Sequence, residues 1–160
     1  MEKVPITRAG FEKLKRDLEH LRNVDLPENV RDIEVARAHG DLSENAEYKS
    51  AKERQAFIHA RIKEVEQNLA ACQVIEVKAA ADGRAVFGCT VAIDDLKSGE
   101  TTEYRLVGPF ESDIAENKIS VTSPIGRALI SRKIGEQIRV QVPGGVREIE
   151  IADIFVEPEE

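Results

Sequence analysis

The chain has 160 residues, enough for one ordinary domain or for a small domain with an extended element. A formal net charge of -7, with 4% aromatic residues and no Trp, argues against a binder of nucleic acid through clustered Lys and Arg and against an aromatic ligand cage. No basic-then-apolar leader opens the sequence, and no apolar run approaches the ~18–20 residues of a membrane span, so we expect a cytoplasmic protein.

The first part of the chain, residues 7–75, is predicted to be helical because periodic apolar residues lie among many helix formers. Thr7 is the expected N-cap. Four apolar residues then keep a spacing of three and four, namely Phe11, Leu14, Leu18 and Leu21. The pattern breaks before Pro27, which cannot donate an intrahelical hydrogen bond, so a kink or restart is expected with Pro27 in a first turn. Val30 and Ile33 are expected to resume the buried stripe.

A second helix follows with the a/d seam of a coiled coil. The seam consists of Tyr48, Ala51, Gln55, Ile58, Ile62, Val65, Leu69 and Cys72. Such a seam needs one partner, and the upstream helix can supply it if a tight connection at Gly40 turns the chain back. The sequence therefore predicts an antiparallel hairpin in which Gly40 adopts positive φ and either Asp41 or Ser43 caps the second helix.

The tip of this hairpin reads "GDLSENAEY" and carries the acids Asp41, Glu44 and Glu47. One interpretation is a capping box, in which Asp41 and Glu44 satisfy backbone N–H groups of the helix start. A calcium loop is excluded, because Ala46 stands where the loop needs Gly and Lys52 where it needs a bidentate Glu. A third interpretation is that carboxylates on a projecting tip complete a hard-cation site in a partner protein.

The C-terminal half, residues 78–160, is predicted to be a small α+β domain entered through a linker. Five runs read as strands: 87–93, 102–107, 118–121, 138–142 and 146–151. Pro143-Gly144-Gly145 is a hairpin turn, and one helix is expected with Ser123 as N-cap and Pro124 at its first position. The two cysteines, Cys72 and Cys89, lack a C-x-x-C pair or a His at ligand spacing and are interpreted as reduced structural thiols.

Several segments together resemble the Gre family of bacterial transcription elongation factors, of the GreA type. They are "PITRAGFEKLKRDLEHL", "VARAH", "GDLSENAEYKSAKERQ" and "ISVTSPIGRALISRKIGEQIRVQVPGG". The resemblance covers nearly the whole chain and includes the tip motif. It implies an antiparallel two-helix coiled coil over residues 1–77 and an FKBP-like α+β domain over residues 78–160.

The resemblance also implies a function. The globular domain would dock on RNA polymerase at the entrance of its secondary channel, and the hairpin would carry Asp41 and Glu44 to the catalytic magnesium of the polymerase. There these acids would promote hydrolysis of RNA whose 3′ end has backtracked. The chain would then be an accessory factor and not an enzyme, a monomer with no cofactor in its free form.

Some residue roles rest on the family pattern alone or stay open. The family carries a basic patch near RNA, for which Arg37 and Lys52 are the candidates here. Glu47 could serve the cap or pair with a nearby Arg. His20, His39 and His59 show no metal-ligand spacing, and His39 is expected on the surface.

Two other function classes remain as alternatives. The FKBP-like half suggests a prolyl isomerase, but that site needs an aromatic-lined pocket, and residues after Val77 offer only Phe87, Phe110, Phe155 and Tyr104. A protein of the same shape could also be a channel-inserting inhibitor, or a coiled-coil adaptor without a role in cleavage. The "DLSE" order favours the stimulator of cleavage.

Overall fold

The computed structural model describes residues 3–41 and 45–158. The chain divides into two compact units, one over Glu12–Ala71 and the other formed by the residues on either side of that segment. The first unit is helical and the second contains the sheets, which confirms the predicted α+β class with a helical hairpin and a small FKBP-like domain. The predicted domain limits, residues 1–77 and 78–160, stay a prediction.

The helical segments are α1, a π-helical turn, α2 and α3, at Arg8–His20, Leu21–Asp25, Leu26–Arg37 and Ala46–Ala71. Thr7 caps α1 as predicted, because its hydroxyl accepts a hydrogen bond from the backbone N–H of Gly10 at 3.1 Å. Pro27 lies in the first turn of α2, also as predicted. The backbone of Asp25 stays right-handed helical, so α1 continues into α2 through the π-turn without a loop.

The π-turn changes which side of α2 is buried. A π-turn adds one residue to the helical ladder and shifts the phase of every later position by about one residue. The buried residues of α2 are accordingly Asn29, Ile33 and Ala36. The prediction for Ile33 is confirmed, but that for Val30 is wrong, since Val30 is 41% exposed and Asn29 is buried in its place.

Helices α2 and α3 run antiparallel. The side-chain amide of Asn29 donates to the carbonyl of Ala51 at 2.9 Å, and that of Asn45 donates to the carbonyl of Ala36 at 2.7 Å. Residue numbers thus rise along one helix as they fall along the other. The seam of α3 is confirmed, because its positions from Tyr48 to Leu69 are all buried or half-buried.

The end of the helical region corrects one part of the prediction. Helix α3 ends at Ala71, and Cys72 begins strand β2, Cys72–Val74, instead of extending the seam. This strand pairs in parallel with β1, Val4–Ile6, a partner from the start of the chain. The backbone N–H of Ile75 extends the ladder by donating to Ile6 at 2.9 Å.

The second sheet contains five strands in the order β5-β4-β3-β7-β6. They are β3 Thr90–Asp95, β4 Thr101–Val107, β5 Lys118–Ser120, β6 Gln137–Val142 and β7 Gly145–Phe155. Each corresponds to a predicted strand. The first begins later than predicted, because Gly88 takes a φ of +87° in a turn, and β7 extends beyond residue 151 across a shift of register against β3.

One short helix, α4 at Pro124–Leu129, packs against this sheet. Its predicted cap is confirmed, since the hydroxyl of Ser123 accepts from the N–H of Gly126 at 3.1 Å. Strands and helix enclose the main core, which contains Ala85, Cys89, Val91, Ile93, Leu106, Ile119, Leu129, Ile138, Val140, Ile149 and Ile151.

Both cysteines are free thiols, in line with the interpretation from the sequence. Burial raises the pKa of the Cys89 thiol, and burial together with the charge of Glu111 raises the pKa of the Cys72 thiol. Both groups are therefore poor nucleophiles near neutral pH. Within the described residues, the helices are too short or too polar to cross a membrane.

Candidate functional site

The hairpin tip lies between the end of α2 at Arg37 and the start of α3 at Ala46. The first part of the turn closes through two hydrogen bonds of 3.2 Å, from the N–H of His39 to Ala36 and from the N–H of Gly40 to Arg37. Gly40 has a φ of +104°, as the predicted C-cap requires. This left-handed residue ends the first arm of the hairpin and starts the return.

The cap of α3 is Asn45, which corrects the prediction of Asp41 or Ser43. The side-chain oxygen of Asn45 accepts from the N–H of Tyr48 at 3.0 Å, and its backbone carbonyl accepts the first helical bond, from Lys49, at 3.1 Å. Asn is among the strongest N-cap residues, so its position three residues before Tyr48 was the signal available in the sequence. Asp41 lies five residues before Ala46 in the chain, and Ser43 lies outside the described residues.

The three acids of the motif have different surroundings. Asp41 directly follows Gly40 and is exposed. Glu44 lies outside the described residues. Glu47 occupies the first turn of α3, where its carboxylate lies 3.4 Å from Nδ1 of His39 across the turn. Within the described residues, the partner of Glu47 is therefore a histidine and neither the cap nor an Arg, and His39 is on the surface as expected.

Asp41 presents oxygen atoms that match the preference of a hard cation, but one carboxylate supplies only one or two ligands. Within residues 3–41 and 45–158, no group of three His, Cys, Asp or Glu side chains is arranged to hold a metal ion. The described part of the tip can thus contribute ligands to a cation site whose other ligands come from elsewhere.

The two basic candidates, Arg37 and Lys52, are both exposed but are not close together. Arg37 ends α2, whereas Lys52 follows Ala51, which lies opposite Asn29. Arg37 lies eight positions after Asn29, which is about 12 Å along the helix. The amine of Lys52 donates to the side chain of Gln55 at 3.1 Å.

Comparison with known families assigns both halves of the chain. Residues 4–74 match the family model described as "Transcription elongation factor, N-terminal", and residues 80–155 match "Transcription elongation factor, GreA/GreB, C-term". The chain belongs to the GreA/GreB family of transcription elongation factors. The first match contains the tip and the whole of α3, so the motif lies inside the family's own N-terminal region.

Individual relatives agree with this assignment. A transcription elongation factor GreA of Syntrophus aciditrophicus is 58% identical over 160 residues, which cover 100% of this chain and 99% of that protein. One from Syntrophobacter fumaroxidans is 51% identical over 96% of this chain and 99% of its own length. One from Methylococcus capsulatus is also 51% identical, over 96% of this chain and 98% of its own length. The similarity therefore spans both compact units.

Proposed function

We propose that this chain stimulates cleavage of backtracked RNA by RNA polymerase and so rescues arrested elongation complexes. The observation that carries the proposal is the exposed Asp41 at the turn of a two-helix hairpin in a chain of the GreA/GreB family. The hairpin enters the secondary channel of the polymerase, and the tip acids act inside the active site of the partner. The chain is an accessory factor that supplies side chains to another protein's reaction.

The dimensions of the hairpin support insertion into a channel. Helix α3 has 26 residues, which at 1.5 Å each give about 39 Å. Its buried side faces α2, and the residues on its opposite side are exposed, so this part of the hairpin is two helices thick. A narrow element of this length can carry a side chain well into a partner.

Asp41 and Glu44 are the residues we assign to the shared magnesium of the polymerase. Carboxylate oxygens suit Mg²⁺, which keeps several waters and takes only one or two carboxylates from a protein. When bound, the ion would polarise a phosphoryl oxygen and make a bound water more acidic. The tip acids would hold the ion, orient a water toward the phosphodiester and accept a proton from it, and we expect the free protein to carry no cofactor.

Docking is assigned to the C-terminal domain, and contact with the nascent RNA 3′ end to Arg37 and Lys52. Because these two basic residues lie about two turns apart along the hairpin, they contact different phosphates or bases of the extruded strand. Each makes a separate contribution, so their effects should add.

A cleavage assay with two labels tests the proposal. Backtracked polymerase carrying RNA labelled at the 5′ end, or in parallel at the 3′ end, is incubated with the protein. We expect a shortened 5′-labelled transcript, a short 3′-labelled fragment, and resumed synthesis when nucleotides are added. An inhibitor would slow synthesis and leave both RNAs intact. Polymerase alone reports its intrinsic cleavage, and Glu53→Gln, which changes an exposed acid of α3 away from the tip, is the matched control.

A further inference from the structure

We infer that Asn45 is a positioning residue that fixes the base of the acidic turn by linking the end of α2 to the start of α3. This inference rests on the proposed function, since it concerns how the turn presents Asp41 to a partner's site. The role goes beyond helix capping, because one side chain bonds to both arms of the hairpin at once.

The amide of Asn45 uses its two ends on two different helices. Its oxygen accepts from the N–H of Tyr48 at 3.0 Å, in the first turn of α3. Its nitrogen donates to the carbonyl of Ala36 at 2.7 Å, in the last turn of α2. Because the amide group is planar and rigid, these bonds set the separation of the two backbones at the base of the turn.

Each bond meets a backbone group at a helix end. The N–H of Tyr48 lies in the first turn of α3, where the helix offers no carbonyl partner, and the carbonyl of Ala36 in the last turn of α2 also accepts from the N–H of His39 at 3.2 Å. A capping side chain normally serves only one end of one helix. Ala36 is 2% exposed, so water has little access around its side of the link. The side chain of Asn45 is thus bonded to both helices at this turn.

Asp41 lies between the two linked points in the chain. Gly40 carries positive φ and adds backbone freedom inside the turn, so the link at its base limits where the carboxylate can lie. A group that acts in a reacting site must be held to within about 0.5 Å, and a displacement of about 1 Å can lower a rate by on the order of a hundredfold. Loss of the link should therefore lower the rate of cleavage more than the strength of docking.

Two substitutions separate positioning from capping. Asn45→Ser keeps a good cap for Tyr48 but its hydroxyl cannot also reach Ala36, whereas Asn45→Ala removes both bonds. Ala60→Gly is the matched control, because Ala60 is exposed in α3 away from the tip and Gly lowers helix stability by an amount similar to the loss of a cap.

The experiment measures cleavage of backtracked RNA against factor concentration for the full-length wild type and the three variants. We expect Asn45→Ala and Asn45→Ser to lower the maximal rate on the order of tenfold or more, with the half-saturating concentration unchanged. Ala60→Gly should keep the wild-type rate. Amide exchange in the free proteins gives a second readout: the Tyr48 N–H should exchange faster in Asn45→Ala and stay protected in Asn45→Ser.

The outcomes are distinct. Wild-type rates in Asn45→Ser with a protected Tyr48 amide would overturn the inference and leave Asn45 a helix cap. A raised half-saturating concentration with an unchanged maximal rate would also overturn it, because the residue would then serve docking. If the wild-type protein itself failed to stimulate cleavage, the proposed function would be wrong, independently of Asn45.

Discussion

The two compact units bury their apolar residues in different ways. In α3 the buried residues are Ala51, Ile58 and Val65, spaced by seven, so they form one line of contacts along the helix. The sheet unit buries eleven residues in one cluster drawn from strands, a helix and a loop. In the hairpin each helical turn is stabilised mainly by the residues packed directly against it, whereas in the sheet unit every residue is stabilised by the whole cluster. The hairpin tip lies at the end of this row of contacts, so it can carry polar side chains, and the acidic motif is found there.

The largest expected effect comes from a charge in the line of contacts. Val65 is fully buried, so Val65→Asp should lower the stability of the hairpin by at least about 3 kcal/mol and abolish stimulated cleavage. Hydrogen exchange should show lost protection in α2 and α3 with protected amides in β3, β4 and β7. Gln67→Asp, at an exposed position of the same helix, is the control. Simultaneous loss of protection in the sheet would show that the two units unfold as one.

The next largest effect is expected at Glu111, and it tests whether the first residues of the chain are held in the sheet unit. The carboxylate of Glu111 accepts hydrogen bonds from the N–H of Thr7 at 2.8 Å, from the N–H of Gly108 at 3.0 Å and from the Thr7 hydroxyl. Glu111→Gln places an amide donor against these donors, so we expect a loss of about 1–3 kcal/mol in the free energy of unfolding of the sheet unit.

Glu116→Gln provides the comparison for Glu111, since Glu116 is an exposed acid paired with Lys118 at 3.0 Å. For both variants, hydrogen exchange of the β1 and β2 backbone amides is followed as denaturant is added, which gives the free energy of unfolding. Equal stability of the two would mean that the Glu111 contacts do not hold the start of the chain.

A smaller effect concerns the polar member of the hairpin interior. Asn29 is fully buried and donates to Ala51, but within the described residues its side-chain oxygen has no hydrogen-bond partner. A buried polar residue in a seam lowers stability while it favours one register. Asn29→Leu should therefore raise the free energy of unfolding of the hairpin by about 1 kcal/mol. Thermal melts followed by circular dichroism check this, with Asn23→Leu, an exposed site, as control. A lower melting temperature would contradict it.

The smallest effect is expected at Glu47. Its contact with His39 is exposed on both sides, at 70% and 55%, and exposed pairs of this kind contribute less than about 1 kcal/mol. Glu47→Gln should keep stimulated cleavage within about fivefold of the wild type, as one surface pair allows. The rate at saturating factor is the measurement. A loss as large as that of an Asp41 variant would make Glu47 a third acid of the site.

The sequence predicted the features whose signals are local. The seam of α3, the Thr7 and Ser123 caps and the positive φ of Gly40 each follow from residue type and spacing within a few positions. The acidic motif was likewise readable, because three acids beside a Gly break the pattern of two long helices. Resemblance to a family then supplied roles for Asp41 and Glu44 that spacing alone left open between capping and cation binding.

The features that were missed depend on distant partners or on a change of phase. Strands β1 and β2 have three residues each, which is too short for an alternating pattern of apolar and polar residues. They pair with each other although the helical hairpin separates them in the sequence. The π-turn before Pro27 adds one residue, so a fixed helical period predicts burial of Val30 where the structure buries Asn29. The cap at Asn45 is hard to recognise in the sequence because the neighbouring acids match a more familiar capping pattern.

In the proposed function the C-terminal domain docks on the polymerase and the tip acids serve the reaction. A competition experiment tests this division most directly. Asp41→Ala removes an exposed carboxylate at the tip and changes no residue of the α3 seam or of the core of the sheet unit. At saturating concentration this variant should stimulate little or no cleavage, and in excess it should suppress cleavage by the wild-type protein, because it occupies the same place on the polymerase. Full stimulation by the variant, or failure of the folded variant to compete, would contradict the account.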